Sequence, residues 1–330
     1  MSGMLVTLGE TMIRLAPPGQ ARLEQTDRLG MSAGGSEMNA AVAAARLGLD
    51  SMFVTRLPRN PLGFFIANKA REQGVDTSRI VWTDEGRVGT YFVEFGAAPR
   101  ANRVIYDRKD SAASRIRPED VDWTEVLAGA GMLHTSGITF ALSDSAAETA
   151  FAALGAANDV GVKTSIDLNY RARLWSRDRA RRVMRKALGL ASILVTTEED
   201  AETVLGAKAR SHGEIAEALA AEFSLDVVAI TERETPSVWR NNWSAVAYCA
   251  DANRVFQGPR YDIEVVDRVG SGDAFAGGFL YGYMTEDAEA GLRYGTAISA
   301  LQQTHPGDLA WATRDEVRWV LEGRSLRISR

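Results

Sequence analysis

The feature that most constrains the fold is a regular alternation of short apolar runs with longer segments of helical length. Met4–Leu8, Val162–Asp167 and Val227–Thr231 are apolar runs of strand length. Ser36–Leu47 is rich in alanine, lacks proline and stops at a glycine, as a helix would. Strands that alternate with such helices predict βαβ units and a mostly parallel sheet, covered by helices on both faces.

The same rhythm extends along most of the chain, without an internal repeat or a linker rich in Pro, Gly or Ser. We therefore expect one domain over residues 1–330. The pattern predicts further strands at Ser51–Leu57, Gly131–Ser136 and Ser192–Thr196, and further helices at Pro61–Gln73, Asp144–Asn158, Arg177–Gly189, Glu198–Leu205 and Ser211–Phe223.

Two stretches, Met12–Ala33 and Arg87–Asp110, interrupt this rhythm because neither contains a good helix. Apolar residues alternate through Val88–Phe95, and Arg103–Tyr106 could pair with that segment. We interpret the two stretches as a small β-sheet that projects from the main domain. A sheet that is apolar on both faces should cover a ligand, a second subunit or both. Two ordinary surface hairpins are the alternative.

Composition and charge limit the classes of function. The chain has 330 residues and a formal net charge of −5, which argues against a nucleic-acid partner bound by bulk electrostatics. A single cysteine, Cys249, excludes an internal disulfide, and His134, His212 and His305 show no metal-ligand spacing. No secretory pattern opens the sequence, and no apolar run reaches the ~18 residues that span a bilayer, so we expect no membrane partner and a cytoplasmic protein.

The sharpest local signal is a glycine turn at Gly270-Ser271-Gly272-Asp273, which follows an apolar strand ending at Val265-Val266 and opens a helix. The two glycines let the backbone approach a ligand, and the start of a helix attracts anions. A carboxylate in that first turn could take a proton from an attacking hydroxyl beside a bound phosphate. The alternative is that Asp273 only caps the helix.

Two other segments could meet a ligand. Gly34-Gly35 precedes a helix in which Asn39 could present its amide to substrate hydroxyls, although a plain turn capped by Ser36 would explain the same residues. Asn169 and Arg171 lie just beyond a predicted strand, where open parallel sheets bind ligands. The planar guanidinium of Arg171 suits a carboxylate or phosphate, unless it is simply solvated.

Together, these three segments resemble the ribokinase-like (PfkB) family of carbohydrate kinases over essentially the whole chain. The resemblance implies a three-layer α/β sandwich with a mostly parallel central sheet, a small β-sheet lid that often joins two subunits, and ATP with Mg²⁺ as cofactors. It also implies that Asp273 is the catalytic base, and that the N–H groups around Gly270, Ser271 and Gly272 stabilise the transferring phosphoryl group.

Further motifs are similar to those of 2-keto-3-deoxygluconate kinases. They are Gly9-Glu10-Thr-Met-Ile-Arg14, Arg87-Val-Gly-Thr-Tyr91, Val104-Ile-Tyr106-Asp-Arg108, Asp167-Leu-Asn169-Tyr-Arg171 and His305-Pro306-Gly307-Asp308. This resemblance implies that the sugar acid contacts Gly34, Tyr91, Tyr106, Arg108 and Arg171, and that the product is a 6-phosphate. A 2-keto acid needs a cation for its carboxylate, which Arg108 and Arg171 can supply.

The chain departs from the family pattern near the expected nucleotide. Thr197-Glu-Glu-Asp200 stands where the family has Asn-x-x-Glu, and Thr231-Glu-Arg233-Glu-Thr-Pro236 lacks both glycines of the usual Thr-x-Gly-x-x-Gly loop. We expect Thr197, Asp200 and Thr231 near the nucleotide, and Arg233 could contact a phosphate in place of the lost backbone. Arg268 occupies a position where a small residue is usual. The sequence identifies no Mg²⁺ ligands.

Three hypotheses remain open at this point. The first is ATP-dependent phosphorylation of 2-keto-3-deoxygluconate. The second is a related kinase whose substrate is fructose, 2-keto-3-deoxygalactonate or a nucleoside, and a neutral sugar would leave the two arginines without a partner. The third is a non-catalytic sensor of a sugar acid on the kinase fold, which the altered nucleotide loop supports and the presence of Asp273 opposes.

Overall fold

The structure, a computed structural model, describes residues 3–323, so the predicted domain can be followed only within that range. Residues 1–2 and 324–330 lie outside it. Between residues 3 and 323, no helix combines the length and the apolar character that crossing a membrane requires.

The strands follow the predicted rhythm, with an additional group in the last third of the chain. They are β1 Met4–Leu8, β2 Met12–Ala16, β3 Gly30–Gly34, β4 Ser51–Val54, β5 Arg56–Pro58, β6 Val81–Thr83, β7 Gly89–Glu94, β8 Arg103–Asp107, β9 Ala130–Ser136, β10 Lys163–Asp167, β11 Ile193–Thr197, β12 Val227–Ser237, β13 Arg240–Cys249, β14 Arg254–Gln257 and β15 Tyr261–Glu264.

The predicted helices form close to their expected positions, although the run Glu198–Leu205 divides into a short helix and a π turn at Ala201–Leu205. Four helices were not predicted, at Trp123–Val126, Gly137–Leu142, Ala288–Gln302 and Arg314–Leu321, nor were the short 3₁₀ turns at Ala113–Arg115 and Pro118–Asp120. The helices are α1 Ser36–Leu47, α2 Pro61–Arg71, α3 Trp123–Val126, α4 Gly137–Leu142, α5 Asp144–Asp159, α6 Arg177–Leu188, α7 Glu198–Asp200, α8 His212–Phe223, α9 Ser271–Thr285, α10 Ala288–Gln302 and α11 Arg314–Leu321.

The largest sheet has nine strands in the order β14-β13-β12-β11-β10-β9-β1-β4, and β15 also pairs with β13. Neighbouring strands from β4 to β12 run parallel, whereas β13 is antiparallel to β12. Because successive side chains of a strand point to opposite faces, each strand contributes to two cores. Val6 and Ile166 pack with α5, α6 and α8, while Leu5 and Ile193 pack with α9. The expected α/β sandwich is confirmed.

A separate four-stranded sheet, in the order β3-β2-β7-β8, confirms the small sheet predicted from residues 12–33 and 87–110. Strands β7 and β8 form the predicted antiparallel pair, and Tyr91 lies opposite Tyr106. Met12, Tyr91 and Val93 form a buried cluster on one face of this sheet. Ile105 and Tyr106 remain exposed on the edge strand β8.

Three predicted elements were wrong in detail. The segment Thr231–Pro236, expected to be a loop, continues strand β12 and pairs with β13. Its charged residues hid the strand, because their side chains are mostly exposed and carry no apolar alternation. The run Ser51–Leu57 divides into β4 and β5, which belong to different sheets. The strand before the glycine turn ends at Glu264 rather than at Val266.

Helices α1 and α9 cross at very short distance because small residues face each other. A Cβ atom added at Gly277 of α9 would lie 2.2 Å from the carbonyl oxygen of Ala40 in α1. No real Cβ tolerates that separation, so only glycine permits this crossing. The crossing brings the first turns of both helices to the same place.

We expect Gly277→Ala to lower the free energy of unfolding by roughly 1–3 kcal/mol, because the added methyl group pushes α9 away from α1. Gly155→Ala in α5 is the matched control, since nothing lies within 4 Å of its Cβ position. Alanine favours a helix interior by up to about 1 kcal/mol over glycine, so the control should be stabilised. Urea unfolding of both variants measures this, and equal stability of the two would contradict the close contact.

Candidate active site

Asp273 lies in the first turn of α9 and is oriented by two side chains of α1. Its Oδ1 accepts a hydrogen bond from the Ser36 hydroxyl at 2.7 Å, and its Oδ2 accepts one from the Asn39 amide at 2.7 Å. It makes no capping bond to its own helix, and Gly35 rather than Ser36 occupies the N-cap of α1. The capping alternatives for Asp273 and Ser36 are therefore wrong. A carboxylate offers about four lone-pair positions, so Asp273 can still accept a hydrogen bond from a further donor.

Asn169 extends this network from the end of β10. Its Nδ2 donates to the Ser36 oxygen at 2.9 Å and to Asp167 Oδ2 at 3.2 Å. The Ser36 hydroxyl, which accepts from Asn169, therefore directs its own hydrogen to Asp273. The Asn39 side chain is engaged twice, because its Oδ1 accepts from the Gly35 N–H at 3.3 Å. Side chains from a strand end and two helix starts thus fix one carboxylate.

The glycine turn before α9 has the geometry that its sequence predicts. Gly270 is in the left-handed region with φ 86°, and a Cβ there would lie 2.2 Å from the carbonyl oxygen of Asp308. Nothing lies within 4 Å of the Cβ position of Gly272, so that side of the helix start is open. The first N–H groups of a helix have no partner within the helix, so this open end can bind an anion.

One cleft of about 1110 Å³ brings together every site residue predicted from the sequence. Its lining includes Gly34, Gly35, Asn39, Tyr91, Tyr106, Arg108, Asn169, Arg171, Thr197, Asp200, Thr231, Arg233, Gly270, Ser271, Gly272 and Asp273. These residues come from the small sheet, from the carboxyl ends of the central strands and from the two helix starts. The shared cleft does not by itself assign a role to any of them.

The two arginines predicted to meet a carboxylate have different environments. Arg108 is already paired with the buried Glu10, to which its Nε donates at 2.7 Å, and it lies over the Tyr106 ring. Arg171 is exposed, and its only hydrogen bond within residues 3–323 goes to the carbonyl oxygen of Tyr170 at 3.0 Å. Within residues 3–323, Arg171 therefore has no acidic hydrogen-bond partner, although Asp167 and Asp200 lie near enough to feel its charge.

Two acids that follow neighbouring strands, Asp167 and Asp200, lie near Arg171, and Asp167 also lies near Asp273. Burial raises the pKa of Asp167 well above its usual range, and the negative charges of Asp273 and Asp200 raise it further. Burial also raises the pKa of Asp200, whose Oδ2 accepts from the Tyr170 N–H at 3.1 Å. Arg171 opposes both shifts. The cleft therefore concentrates acidic groups beside the helix start, where a cation would relieve their repulsion.

A buried ion-pair network connects the small sheet to the glycine turn. Arg14 of β2 donates to Asp267 at 2.5 Å and to Asp308 at 2.5 Å, and all three side chains are buried. Tyr91 of β7 donates to the same Asp308 at 2.5 Å, and the Gly307 N–H donates to Asp267 at 3.0 Å. A movement of the small sheet must therefore act on the segment that carries the turn.

Some of the residues predicted to lie near the nucleotide also stabilise the fold. The Thr197 hydroxyl caps α7 by accepting from the Asp200 N–H at 3.1 Å, so this pair already stabilises a helix start. Arg233 is exposed on β12. His212 lies at the edge of the cleft between Glu232, 2.5 Å from Nδ1, and Glu198, 2.9 Å from Nε2.

Within the described residues, no group of three or more His, Cys, Asp or Glu side chains could hold a metal ion. Mg²⁺ in phosphate-transferring sites is commonly held by one or two carboxylates together with substrate phosphates and water. Asp167 and Asp200 at the strand ends fit that smaller contribution. A Mg²⁺ ion there would neutralise charge on the transferring phosphates.

Sequence reasoning missed several groups of the site or quoted them without a role. They are Glu10, Arg14, Glu37, Asp267 and Asp308, and His212 was noted only for its lack of metal-ligand spacing. Glu10, Arg14 and Asp308 stood in motifs, but only the folded chain shows that they pair across long separations. A charged residue inside an apolar segment, such as Arg14 in Met12–Leu15, was the available signal.

The chain belongs to the pfkB family of carbohydrate kinases, whose model matches residues 2–313. A 2-dehydro-3-deoxygalactonokinase from Haloferax volcanii is 38% identical over 100% of both chains. A 2-dehydro-3-deoxygluconokinase from Thermoproteus tenax is 32% identical, over 92% of this chain and 89% of that one. The crystal structure of a 2-dehydro-3-deoxygluconokinase from Thermotoga maritima superposes with a TM-score of 0.93 and 40% identity, covering 97% of this chain and 99% of that one.

Glu37 is a buried carboxyl group next to the site, and burial raises its pKa to about 7 from an ordinary 4.5. Its Oε1 accepts from Ser136 and Thr139, while its buried Oε2 has no partner within residues 3–323. As the pH rises, the unfolded chain loses this proton before the folded protein does. The contribution of protonated Glu37 to the free energy of unfolding is therefore full below pH 4.5. It is lost as the pH rises through 7, by about 3 kcal/mol in total.

The glutamine in Glu37→Gln does not titrate, so this variant should not share the loss of stability of the wild type. Its free energy of unfolding minus that of the wild type should therefore increase by about 3 kcal/mol from pH 5 to pH 8. Urea unfolding of both proteins at several pH values measures the difference in their free energies of unfolding. Burial lowers the pKa of His134 to about 4, which makes stability rise with pH, but this effect is common to both proteins and cancels in the difference. Glu24→Gln is the control, since Glu24 is 74% exposed and should show no such trend. Parallel pH curves for the wild type and Glu37→Gln would contradict the raised pKa.

Proposed function

We propose that this carbohydrate kinase transfers the γ-phosphoryl group of ATP to the 6-hydroxyl of 2-keto-3-deoxygluconate, with Asp273 as the base. The observation that carries the proposal is the placement of Asp273 at an open helix start, with both oxygens oriented by Ser36 and Asn39. A base needs that fixed orientation toward its proton donor, and the neighbouring N–H groups need an anion.

The step follows from this arrangement. The substrate hydroxyl gives its proton to Asp273 while its oxygen forms a bond to the γ-phosphorus. The bond between that phosphorus and the oxygen bridging to the β-phosphate breaks, and ADP leaves with the electron pair. The N–H groups at the start of α9 stabilise the charge that spreads over the transferring oxygens.

Arg171 supplies the charge that selects an acid in this proposal. Its guanidinium has no acidic hydrogen-bond partner within residues 3–323, whereas the charge of Arg108 is balanced by Glu10. Fixed by Glu10, Arg108 can direct its remaining N–H groups at a keto or hydroxyl oxygen. The stacked rings of Tyr91 and Tyr106, with centroids 5.8 Å apart, line the same part of the cleft.

The epimer 2-keto-3-deoxygalactonate is the second candidate substrate. It is favoured by the 38% identity to the Haloferax volcanii enzyme, whose name specifies the galactonate. Both acids carry the same carboxylate and keto group, so Arg171 would act on either. An assembly through the small sheet also belongs to this proposal, because the edge strand β8 exposes Ile105 and Tyr106.

Asp273→Asn should reduce kcat by about 10²–10⁴-fold, because the amide has the same shape but cannot take the proton. The affinity for the sugar acid should change little, since the amide oxygen still accepts one of the two hydrogen bonds. ADP release at saturating substrate measures kcat, and calorimetry measures binding. Near-normal turnover by this variant would show that another group is the base.

Arg171→Ala should raise KM for the sugar acid by roughly 10–100-fold and leave KM for ATP unchanged, since one charge-assisted contact is lost. Arg173→Ala is a matched control two residues away, because its guanidinium donates to the carbonyl oxygen of Val104 and does not line the cleft. Unchanged KM in the Arg171 variant would favour a neutral sugar as the substrate.

A further inference from the structure

Two arginines at the nucleotide side of the cleft have no acidic partner within residues 3–323. Arg268 donates from Nη2 to the carbonyl oxygen of Val238 at 2.9 Å, and its buried Nε has no partner in the same range. Arg233 is exposed on β12, and within residues 3–323 its side chain makes no hydrogen bond or ion pair. Both line the cleft that contains Gly270 and Gly272.

The acids adjacent to Arg233 are bound elsewhere. Glu232 contacts His212 and Gln257, and Glu234 contacts Arg260 at 2.6 Å and Asn242 at 3.1 Å. Successive residues of a strand point to opposite faces, so these two glutamates lie on the face that Arg233 does not share. Arg233 therefore points away from Glu232 and Glu234, its neighbours in the strand.

Strand register places Arg233 on the side of the sheet that carries the glycine turn. Arg233 lies directly opposite Trp243 of β13, and cross-strand partners share a face. The ring of Trp243 makes an edge contact with Phe275 of α9, 6.5 Å between centroids. Phe275 follows Asp273 by two residues, and Arg268 precedes Gly270 by two. Both arginines therefore flank the start of α9.

The two guanidinium groups also act on each other. Burial lowers the pKa of Arg268, and the positive charge of Arg233 lowers it further. Like charges placed together without an acid between them are unfavourable unless an anion joins them. The planar fork of arginine can bind two phosphate oxygens at once.

We propose that Arg233 and Arg268 form a two-arginine clamp for the β- and γ-phosphates of the nucleotide. The clamp takes over from the backbone contacts that a glycine-rich loop would make, because β12 continues as a regular strand through Arg233. It rests on the proposed kinase function and adds to it a source of selectivity, since a nucleotide with one phosphate cannot reach both guanidinium groups.

The test is equilibrium binding by calorimetry without sugar acid, so that no turnover occurs, with ATP, ADP, AMP and inorganic tripolyphosphate as ligands. Arg233→Gln and Arg268→Gln should each weaken ATP, ADP and tripolyphosphate binding by at least about tenfold and leave AMP unchanged. Arg268→Lys should restore part of the loss, because a point charge remains. Arg240→Gln is the matched control: it removes the same charge from the same hairpin outside the cleft, and it should bind like the wild type.

Three results would overturn the clamp: unchanged ATP affinity in both glutamine variants, an equal loss in Arg240→Gln, or a parallel loss of AMP binding. If these occurred while the wild type still phosphorylated a sugar acid, the proposed function would stand and only the clamp would fall. A wild-type protein that bound neither nucleotide nor tripolyphosphate would overturn both.

Discussion

Helices α1 and α9 approach closely because glycine and alanine face each other where they cross, and the site depends on that contact. It places the Ser36 hydroxyl and the Asn39 amide within 2.7 Å of the Asp273 carboxylate. Larger side chains at the crossing, alanine at Gly277 included, would separate the donors from the acid they orient. The same contact leaves the start of α9 open toward the cleft, where its unpaired N–H groups attract an anion. The oriented Asp273 carboxylate and the open helix start are thus consequences of one packing arrangement.

A second constraint is electrostatic. Arg14 is buried between Asp267 and Asp308, and removing one member of such a network leaves an uncompensated charge in the interior. The network costs desolvation free energy, yet it connects the small sheet, through Tyr91, to the segment before α9. Tyr91 of the small sheet and the segment before the glycine turn therefore share one hydrogen-bonded network. Arg233 and Arg268 line the same cleft as the turn, and neither has an acidic partner within residues 3–323.

Most of the fold was predictable, because hydrophobic periodicity and glycine stops depend on local sequence. The bounds of α1 and β1 agree with the sequence prediction residue for residue. The second half of β12 was missed, since a strand segment with alternating charges and exposed side chains has no apolar signature. Individual site residues could be identified from glycine turns and strand ends. Their pairing could not: Glu10 with Arg108, and Arg14 with Asp308, are contacts between distant segments that only the three-dimensional fold brings together.

The most direct test of the account is the rate of ADP release from Mg²⁺-ATP by the wild-type protein with four acceptors: 2-keto-3-deoxygluconate, 2-keto-3-deoxygalactonate, fructose and ribose. We predict strong turnover with the gluconate, and turnover with its epimer is compatible with the proposed site. The neutral sugars should react poorly, because they offer Arg171 no carboxylate. Turnover confined to fructose or ribose would contradict the assigned substrate class and leave Asp273 as the base. Binding of a sugar acid without turnover of any acceptor would contradict the catalytic role of the site itself.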